Sequence, residues 1–231
     1  MSEGPGDDRG TALPERPPVE GPAPPRCAPQ NLVDLAKGLM ASSSRRVLGL
    51  VGPPGAGKST LASLLVRALG REAALVPMDG FHLAQAELVR LGRAQRKGAP
   101  DTFDAYGYAA LLERLRYETG VTVYAPAFRR DLEEPIANAL AITPEVRLVV
   151  TEGNYLLDLE PPWLRARAAI DEVWYVDADP RIRRQRLMAR HVAHGRTPEA
   201  AHNWVNDVDE LNARRIASTR SRADRTVSPW D

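Results

Sequence analysis

The stretch Gly52-Pro-Pro-Gly-Ala-Gly-Lys-Ser59 satisfies the pattern G-x-x-x-x-G-K-[ST]. An apolar run with the composition of a buried parallel strand, Val47–Val51, comes directly before it, and a segment with helical spacing, Lys58–Leu69, continues from its end. A strand before and a helix after are the context in which this pattern forms a phosphate-binding loop. The sequence therefore predicts a P-loop.

The residues of this loop have distinct chemical roles. Glycine lets the backbone turn with its N–H groups inwards, and the following helix directs its partly positive N-terminus to the same point. Lys58 supplies a compact charge at the β- and γ-phosphates, and the Ser59 hydroxyl group is suited to Mg²⁺. The predicted nucleotide contacts are Gly52, Pro53, Pro54, Gly55, Ala56, Gly57, Lys58, Ser59 and Thr60.

Strand-like and helix-like segments alternate from Arg45 onwards. The predicted strands are 47–51, 74–77, 122–124, 146–151, 171–176 and 223–227. The predicted helices are 30–43, 58–69, 83–91, 104–116, 181–193 and 198–219. This alternation predicts an α/β protein with the P-loop NTPase fold, in which a parallel sheet has helices on both faces.

The first 29 residues differ in composition from the rest. Eight of the 20 prolines lie there, with almost no large apolar side chains. Such a segment buries too little apolar surface to offset the entropy of ordering. We expect a disordered Pro/Gly-rich tail at 1–29 and one domain at 30–231, with a proline-rich docking segment as the alternative for the tail.

The overall composition disfavours several classes of partner. The 31 basic and 30 acidic side chains leave a formal net charge of +1, which gives no long-range attraction to nucleic acid or an anionic membrane. No apolar stretch approaches the roughly 18 residues of a membrane span, and the first residues lack the apolar core of a secretion signal. The single cysteine, Cys27, forms no internal disulfide, so a cytoplasmic location is expected.

Two acidic residues stand at the ends of predicted strands. Asp79 follows the strand at 74–77, and Glu152 follows the apolar run 148–151. Ligands of open α/β sheets gather at the carboxyl ends of strands. Asp79 can accept a proton from an attacking hydroxyl group, and Glu152 can join Ser59 at Mg²⁺. The alternative for each is a turn residue without chemistry.

Two absences narrow the class of P-loop protein. None of the three lysines stands two residues before an aspartate, as the guanine-specific motif requires, and no LSGGQ-like signature is present. These absences disfavour a GTPase and a transporter ATPase.

Four motifs, in order and with similar spacing, resemble the phosphoribulokinase/uridine kinase family. They are the P-loop, Met78-Asp-Gly-Phe-His82, Arg96-Lys-Gly-Ala-Pro-Asp-Thr-Phe-Asp104 and Thr151-Glu-Gly-Asn-Tyr-Leu-Leu157. The chain is most similar to the nucleoside/nucleotide kinase-like branch and also resembles bacterial pantothenate kinase. The resemblance covers about residues 30–231, which it identifies as a kinase domain. It implies ATP and Mg²⁺ as cofactors, Asp79 as the catalytic base and Glu152 near the metal.

The acceptor side is less defined by the sequence. Arg96 and Lys97 lie in a basic, glycine-containing loop, and His82 and Tyr155 belong to the motifs of the resemblance. Arg130 follows Phe128 and Arg129. Related kinases often carry an aspartate at the position of Arg129. We take these five residues, His82, Arg96, Lys97, Arg130 and Tyr155, as candidate substrate contacts; a solvated loop is the alternative for the two at 96–97.

A segment near 181–196 resembles the lid of these kinases. Arg183, Arg186 and Arg190 share one side of the predicted helix, and Arg184 projects elsewhere. A lid arginine that closes over the triphosphate would stabilise the transferring phosphoryl group. Arg184 and Arg190 are the candidate nucleotide contacts. His191 and His194 have no acidic neighbours in sequence and are expected at the surface rather than at zinc.

The sequence thus predicts an ATP:alcohol phosphotransferase that uses Lys58 and Asp79 in catalysis. Its expected partner is a small acceptor, which can be a nucleoside, a pantothenate-like molecule or a sugar, and neither nucleic acid nor a membrane is expected. A homodimer is left open. The alternative is a regulatory P-loop NTPase that hydrolyses its nucleotide and has no small-molecule acceptor.

Overall fold

The computed structural model describes residues 26–230. Most of the predicted tail at 1–29 therefore lies outside the described residues. Within residues 26–29, Ala28 is buried in the apolar layer that also holds Leu32 and Leu61. Packing against the domain thus begins before residue 30.

Strands and helices alternate along the described chain. The strands are β1 (Arg46–Val51), β2 (Ala73–Leu75), β3 (Val123–Arg129), β4 (Glu134–Ile142), β5 (Leu148–Gly153), β6 (Glu172–Val176) and β7 (Arg225–Val227). The α-helices are α1 (Gln30–Met40), α2 (Lys58–Leu69), α3 (Gln85–Arg90), α4 (Ala105–Tyr117), α5 (Pro161–Ala168), α6 (Pro180–Ala193), α7 (Pro198–Trp204) and α8 (Glu210–Ala217). No helix within residues 26–230 is long and apolar enough to cross a membrane.

The main sheet has five strands in the order β2-β5-β1-β6-β7, and every pair is parallel. Alternate side chains of the central strand point into two apolar layers, as the strand period of two requires. Val47 and Val51 share a layer with α4 and α5, whereas Leu48 and Leu50 share the other with α1 and α2. Helices therefore cover both faces, which confirms the predicted P-loop NTPase fold.

Local sequence signals fix several element boundaries. Helix α2 begins and ends where its apolar spacing predicts, at 58 and 69. Asp104 caps α4, because its Oδ1 accepts a hydrogen bond of 2.8 Å from the backbone N–H of Gly107. The predicted helix at 198–219 contains a π-helical turn, Val205–Asp209, between α7 and α8. Helical periodicity does not signal such an inserted residue.

An antiparallel hairpin of β3 and β4 stands apart from the main sheet. In this region the sequence predicts only a short strand at 122–124, and β4 is not predicted. The residues of β4 include alanine, asparagine and proline, which favour strands weakly, so its pattern is inconspicuous. A Cβ at Gly80 would lie 2.5 Å from the carbonyl oxygen of Pro126. The hairpin therefore lies directly over the 3₁₀ turn Met78–Phe81 that carries Asp79.

Candidate active site

The P-loop joins the end of β1 to the first turn of α2. Gly57 is the N-cap of α2 with a φ of 93°, and Gly55 has a φ of 80°, a region that favours glycine. A Cβ at Gly52 would lie 2.5 Å from the carbonyl oxygen of Val176 in β6. Backbone conformation thus requires glycine at positions 55 and 57, and close packing against β6 requires it at position 52.

Lys58 folds back over this loop. Its Nζ donates hydrogen bonds to the carbonyl oxygens of Gly52 (2.9 Å) and Pro53 (3.3 Å), and the residue is 7% exposed. Burial lowers the pKa of Lys58 to about 8, with the carboxylates of Glu152 and Asp79 opposing the shift. The ammonium group is therefore poorly solvated, and an anion beside it would stabilise its charged form.

Ser59 and Glu152 form an all-oxygen pair beside the lysine. The Ser59 hydroxyl group donates to Oε1 of Glu152 at 2.9 Å. Burial raises the pKa of Glu152, and the nearby Asp79 carboxylate raises it further. Within residues 26–230 no group of three His, Cys, Asp or Glu side chains forms a closed metal site. The pair fits Mg²⁺, which takes few protein oxygens and completes its shell with phosphate and water.

Asp79 faces the P-loop from the end of β2. Its Oδ2 accepts a hydrogen bond of 3.1 Å from the Arg130 guanidinium group, which comes from the end of the hairpin. The Asp79 side chain is 31% exposed, so the ion pair is open to solvent and to a ligand. A carboxylate held in this way can accept a proton from a hydroxyl group placed between it and the P-loop.

A single cavity of about 800 Å³ joins these groups. The sequence-predicted residues that line it are Pro54, Gly55, Gly57, Lys58, Ser59, Thr60, Asp79, His82, Lys97, Arg130, Glu152 and Arg190. Three other predicted contacts, Gly52, Pro53 and Ala56, are buried within the loop behind this lining. The phosphate loop and the acceptor-side candidates thus share one space, as phosphoryl transfer between two bound molecules requires.

Three predicted site residues lie elsewhere. Arg96 pairs with Asp101 at 2.5 Å on the exposed side of its loop. Arg184 pairs with Glu210 at 3.0 Å and is directed away from the cavity. Tyr155 is buried, and its hydroxyl group donates to the carbonyl oxygen of Gly98 at 2.6 Å. Tyr155 therefore supports the loop that carries Lys97 and does not itself line the cavity.

Helix α6 packs onto the P-loop through a residue that helical spacing alone does not single out. Arg183 is buried, donates to the carbonyl oxygen of Pro54 at 3.1 Å and pairs with Glu210. Arg190, two turns further along, lines the cavity and has no carboxylate within ion-pair distance among residues 26–230. Arg183 is therefore a structural anchor, whereas Arg190 is available to an anionic ligand, and Arg186 of the same helix also lines the cavity.

The histidines of this region also differ from expectation. His191 lies 2.7 Å from the carboxylate of Asp209, an acidic neighbour that comes from the π-helical turn and not from nearby sequence. The expectation that no acid lies near His191 is therefore wrong. His194 bonds through Nδ1 to the carbonyl oxygen of Arg190 at 2.7 Å, within its own helix.

Sequence reasoning misses the walls of the cavity that come from distant elements. They are Phe128 and Glu133 of the hairpin region, and Trp204, Val208, Asp209 and Asn212 of the α7–α8 segment. The hairpin is not predicted because the residues of β4 favour strands weakly. The α7–α8 residues become adjacent to the site only through the fold.

Known proteins resemble this chain in sequence and fold. A Schizosaccharomyces pombe protein provisionally named a uridine kinase is 34% identical over 201 residues, which cover 82% of this chain and 86% of that protein. An ATP-dependent kinase-like protein of Aspergillus versicolor is 38% identical over 152 residues, which cover 62% and 88%.

A solved structure from Silicibacter sp. TM1040, provisionally described as a fructose transport system kinase, is 36% identical with a TM-score of 0.77, covering 85% of this chain and 98% of that one. No protein-family model matches the chain. The relatives cover most of this chain, and the P-loop, the carboxylate at Asp79 and the Ser59–Glu152 pair lie within the fold they share. The chain therefore belongs to the uridine kinase-like family of P-loop kinases and is a phosphotransferase.

Proposed function

We propose that this protein transfers the γ-phosphoryl group of ATP to a hydroxyl group of a small metabolite that is a nucleoside, a pantothenate-like molecule or a sugar. One observation carries the proposal. The Asp79 carboxylate opens into the same cavity as Lys58 and Ser59, and Arg130 holds it from the opposite side. A hydrolase needs only an ordered water molecule beside its base, whereas the cavity of about 800 Å³ around Asp79 leaves room for an acceptor.

Each residue has a role in this mechanism. The backbone N–H groups of the P-loop and the Lys58 ammonium group bind the phosphates. Ser59 and Glu152 would hold Mg²⁺, which would offset negative charge on the phosphates. Asp79 orients the acceptor hydroxyl group and accepts its proton as the new O–P bond forms. Arg190 stabilises the negative charge of the transferring group.

The names of similar proteins support the range of acceptors. Clostridium perfringens has a uridine kinase that is 29% identical over 181 residues, and the Silicibacter relative is provisionally linked to fructose. The acceptor end of the cavity combines the aromatic rings of Phe103 and Phe128 with the cations Lys97 and Arg130. Apolar walls with a few polar groups suit a compact, polar molecule.

An acceptor screen tests the proposal. The purified full chain is mixed with ATP and Mg²⁺, and ADP release is followed with uridine, cytidine, D-ribose, D-fructose and pantothenate in turn. We expect at least one acceptor to raise ADP release well above the rate without acceptor, with a phosphorylated product seen by mass spectrometry. A Lys58→Ala variant prepared in parallel controls for contaminating kinases. Acceptor-independent hydrolysis alone, across the panel, would favour the regulatory NTPase instead.

A further inference from the structure

The ring of His82 packs against two aromatic side chains. Its centroid lies 4.1 Å from that of Phe103, with an interplanar angle of 42°, and 4.8 Å from that of Phe128, with an angle of 47°. The backbone is held as well, since His82 forms a β-bridge with Phe103. The position of the imidazole ring is therefore held by both its side-chain and its backbone neighbours.

One nitrogen of this ring is already used. Nδ1 of His82 lies 2.8 Å from the backbone carbonyl oxygen of Asp79. A carbonyl oxygen only accepts hydrogen bonds, so Nδ1 must carry the hydrogen. Burial lowers the pKa of His82 below its ordinary value, against the opposing influence of the Asp79 carboxylate, while Lys97 and Arg130 lower it further. The ring is therefore neutral at pH 7, and Nε2 carries a lone pair.

The second nitrogen faces the cavity without a protein partner. No hydrogen bond to Nε2 exists among residues 26–230, and His82 lines the cavity. Nε2 is also not sealed from the cavity, because the one fully buried side-chain nitrogen or oxygen without a partner in that range is Nε1 of Trp230. An unused hydrogen-bond acceptor thus stands among the cationic donors Lys97 and Arg130.

His82 and Asp79 present their polar groups to the same part of the cavity. They are three residues apart, across the 3₁₀ turn Met78–Phe81 for which His82 is the C-cap. Side chains at i and i+3 of a 3₁₀ turn eclipse one another. A molecule whose hydroxyl group meets the Asp79 carboxylate therefore brings its neighbouring atoms to the edge of the His82 ring.

We propose that Nε2 of His82 accepts a hydrogen bond from the phosphate acceptor, and that this acceptor therefore carries a second O–H or N–H donor close to the hydroxyl group that is phosphorylated. The inference rests on the proposed function and narrows its substrate class. A sugar, or the sugar part of a nucleoside, supplies such a neighbouring hydroxyl group. An alcohol with a single hydroxyl group leaves Nε2 without a hydrogen-bond donor. An alcohol with a carboxylate or phosphate at the neighbouring position places an acceptor against the lone pair of Nε2 and is repelled.

The tautomer can be tested without knowing the acceptor. The full chain is labelled with ¹⁵N-histidine, and long-range ¹H–¹⁵N correlations distinguish protonated from unprotonated ring nitrogens. The chain has four histidines, so a His82→Gln variant assigns the signal. We expect the Nδ1–H tautomer at pH 7.5. An Nε2–H tautomer or an imidazolium ring at this pH would overturn the proposal.

Kinetics test the contact itself with a matched pair of variants. The amide of Gln extends to the position of Nε2, whereas that of Asn extends only to the position of Nδ1. The best acceptor of the screen is compared with its analogue in which the neighbouring hydroxyl group is replaced by hydrogen. We expect the wild type to lose about tenfold in kcat/KM on this replacement, the size of one hydrogen bond.

The variants should then separate the hydrogen bond from a structural role. His82→Asn is expected to lose about tenfold in kcat/KM with the parent acceptor, and replacing the neighbouring hydroxyl group by hydrogen should reduce its kcat/KM little further. His82→Gln should regain part of the loss, and the KM for ATP should be unchanged in both variants. Equal sensitivity of the wild type and His82→Asn to the deoxy replacement would refute the contact. If no acceptor supports turnover in the wild type, the proposed function itself fails, and the tautomer is still decided by NMR.

Discussion

The two ends of the cavity are built in different ways. At the nucleotide end, consecutive residues of the P-loop follow β1, whose side chains are almost all buried. Lys58 bonds to carbonyl oxygens within the loop, and Ser59 bonds to Glu152 of β5. At the acceptor end, residues come from the hairpin, the loop at 94–98 and the α7–α8 segment, and many are exposed. One end is centred on a contiguous loop, and the other is an assembly of distant elements.

Asp79 stands where the two ends meet. An Asp79→Asn variant keeps the shape of the side chain but cannot accept the proton, so we expect kcat to fall by about 10²–10⁴-fold with ATP affinity retained. Steady-state kinetics and calorimetric ATP titration measure the two effects separately. Asp34→Asn, on the exposed face of α1, is the matched control and should leave both values unchanged. Full transfer by Asp79→Asn would show that another group is the base.

The arginines of α6 provide the next contrast. Arg190→Ala removes a cation from the cavity, and we expect a loss of about 10³-fold in kcat, the lower end of what an arginine supplies to phosphoryl transfer. Arg184→Ala removes an exposed ion pair with Glu210 and should change kcat by about twofold or less. Equal losses for the two variants would mean that α6 takes up a different arrangement when nucleotide is bound.

A glycine links the acceptor end to the turn of Asp79. In Gly80→Ala the added Cβ meets the carbonyl oxygen of Pro126, and such overpacking costs about 1–3 kcal/mol if the hairpin must shift. We expect the acceptor KM to rise about tenfold while ATP binding is unchanged. Gly38→Ala, in α1 with no atom near the added Cβ, is the control and should bind and turn over like the wild type. A parallel loss of ATP affinity in Gly80→Ala would contradict the separation of the two ends.

The smallest effect concerns the protonation of Lys58. Because its pKa is about 8 in the free protein, the ammonium group is half neutral at pH 8, and ATP binding above that pH must take up a proton. We expect ATP affinity to fall about threefold from pH 7.5 to pH 8.5, with proton uptake seen by calorimetry in two buffers of different ionisation enthalpy. In Lys58→Arg the charge persists across this range, so its affinity, even if weaker, should not vary with pH. A wild-type affinity that is flat across the same range would show that Lys58 is fully charged.

The two ends also differ in how far the sequence predicts them. The bounds of α2 and the cap at Asp104 follow from contiguous residues whose spacing sets their geometry. Ser59 and Glu152 are 93 residues apart, and their pairing was predictable because the P-loop and Glu152 both stand at the carboxyl ends of predicted parallel strands. Trp204 and Asn212 reach the cavity because α7 and α8 fold back against α6. The residue pattern of one helix does not determine which distant helix packs beside it.

Helix α6 shows that residue type and helical periodicity do not determine the role of an arginine. Arg183 and Arg190 share one side of the helix, as predicted, but one is buried beneath the P-loop and the other is open to the cavity. The difference comes from Pro54 and Glu210, which satisfy the Arg183 guanidinium group and lie 129 and 27 residues away in sequence. An arginine acquires a role from the partners that the fold brings to it.

The exposure of strand β4 affects how kinases of this kind can vary in sequence. Of its nine residues only Ile142 is fully buried, and most of the others are exposed. Substitutions at exposed positions typically change the free energy of unfolding by no more than about 0.5 kcal/mol. A lineage can therefore accumulate changes along this hairpin, beside its acceptor, while the sheet and the P-loop stay stable. We expect a change of acceptor to require substitutions at the hairpin residues that line the cavity, Phe128, Arg130 and Glu133, while the P-loop is retained.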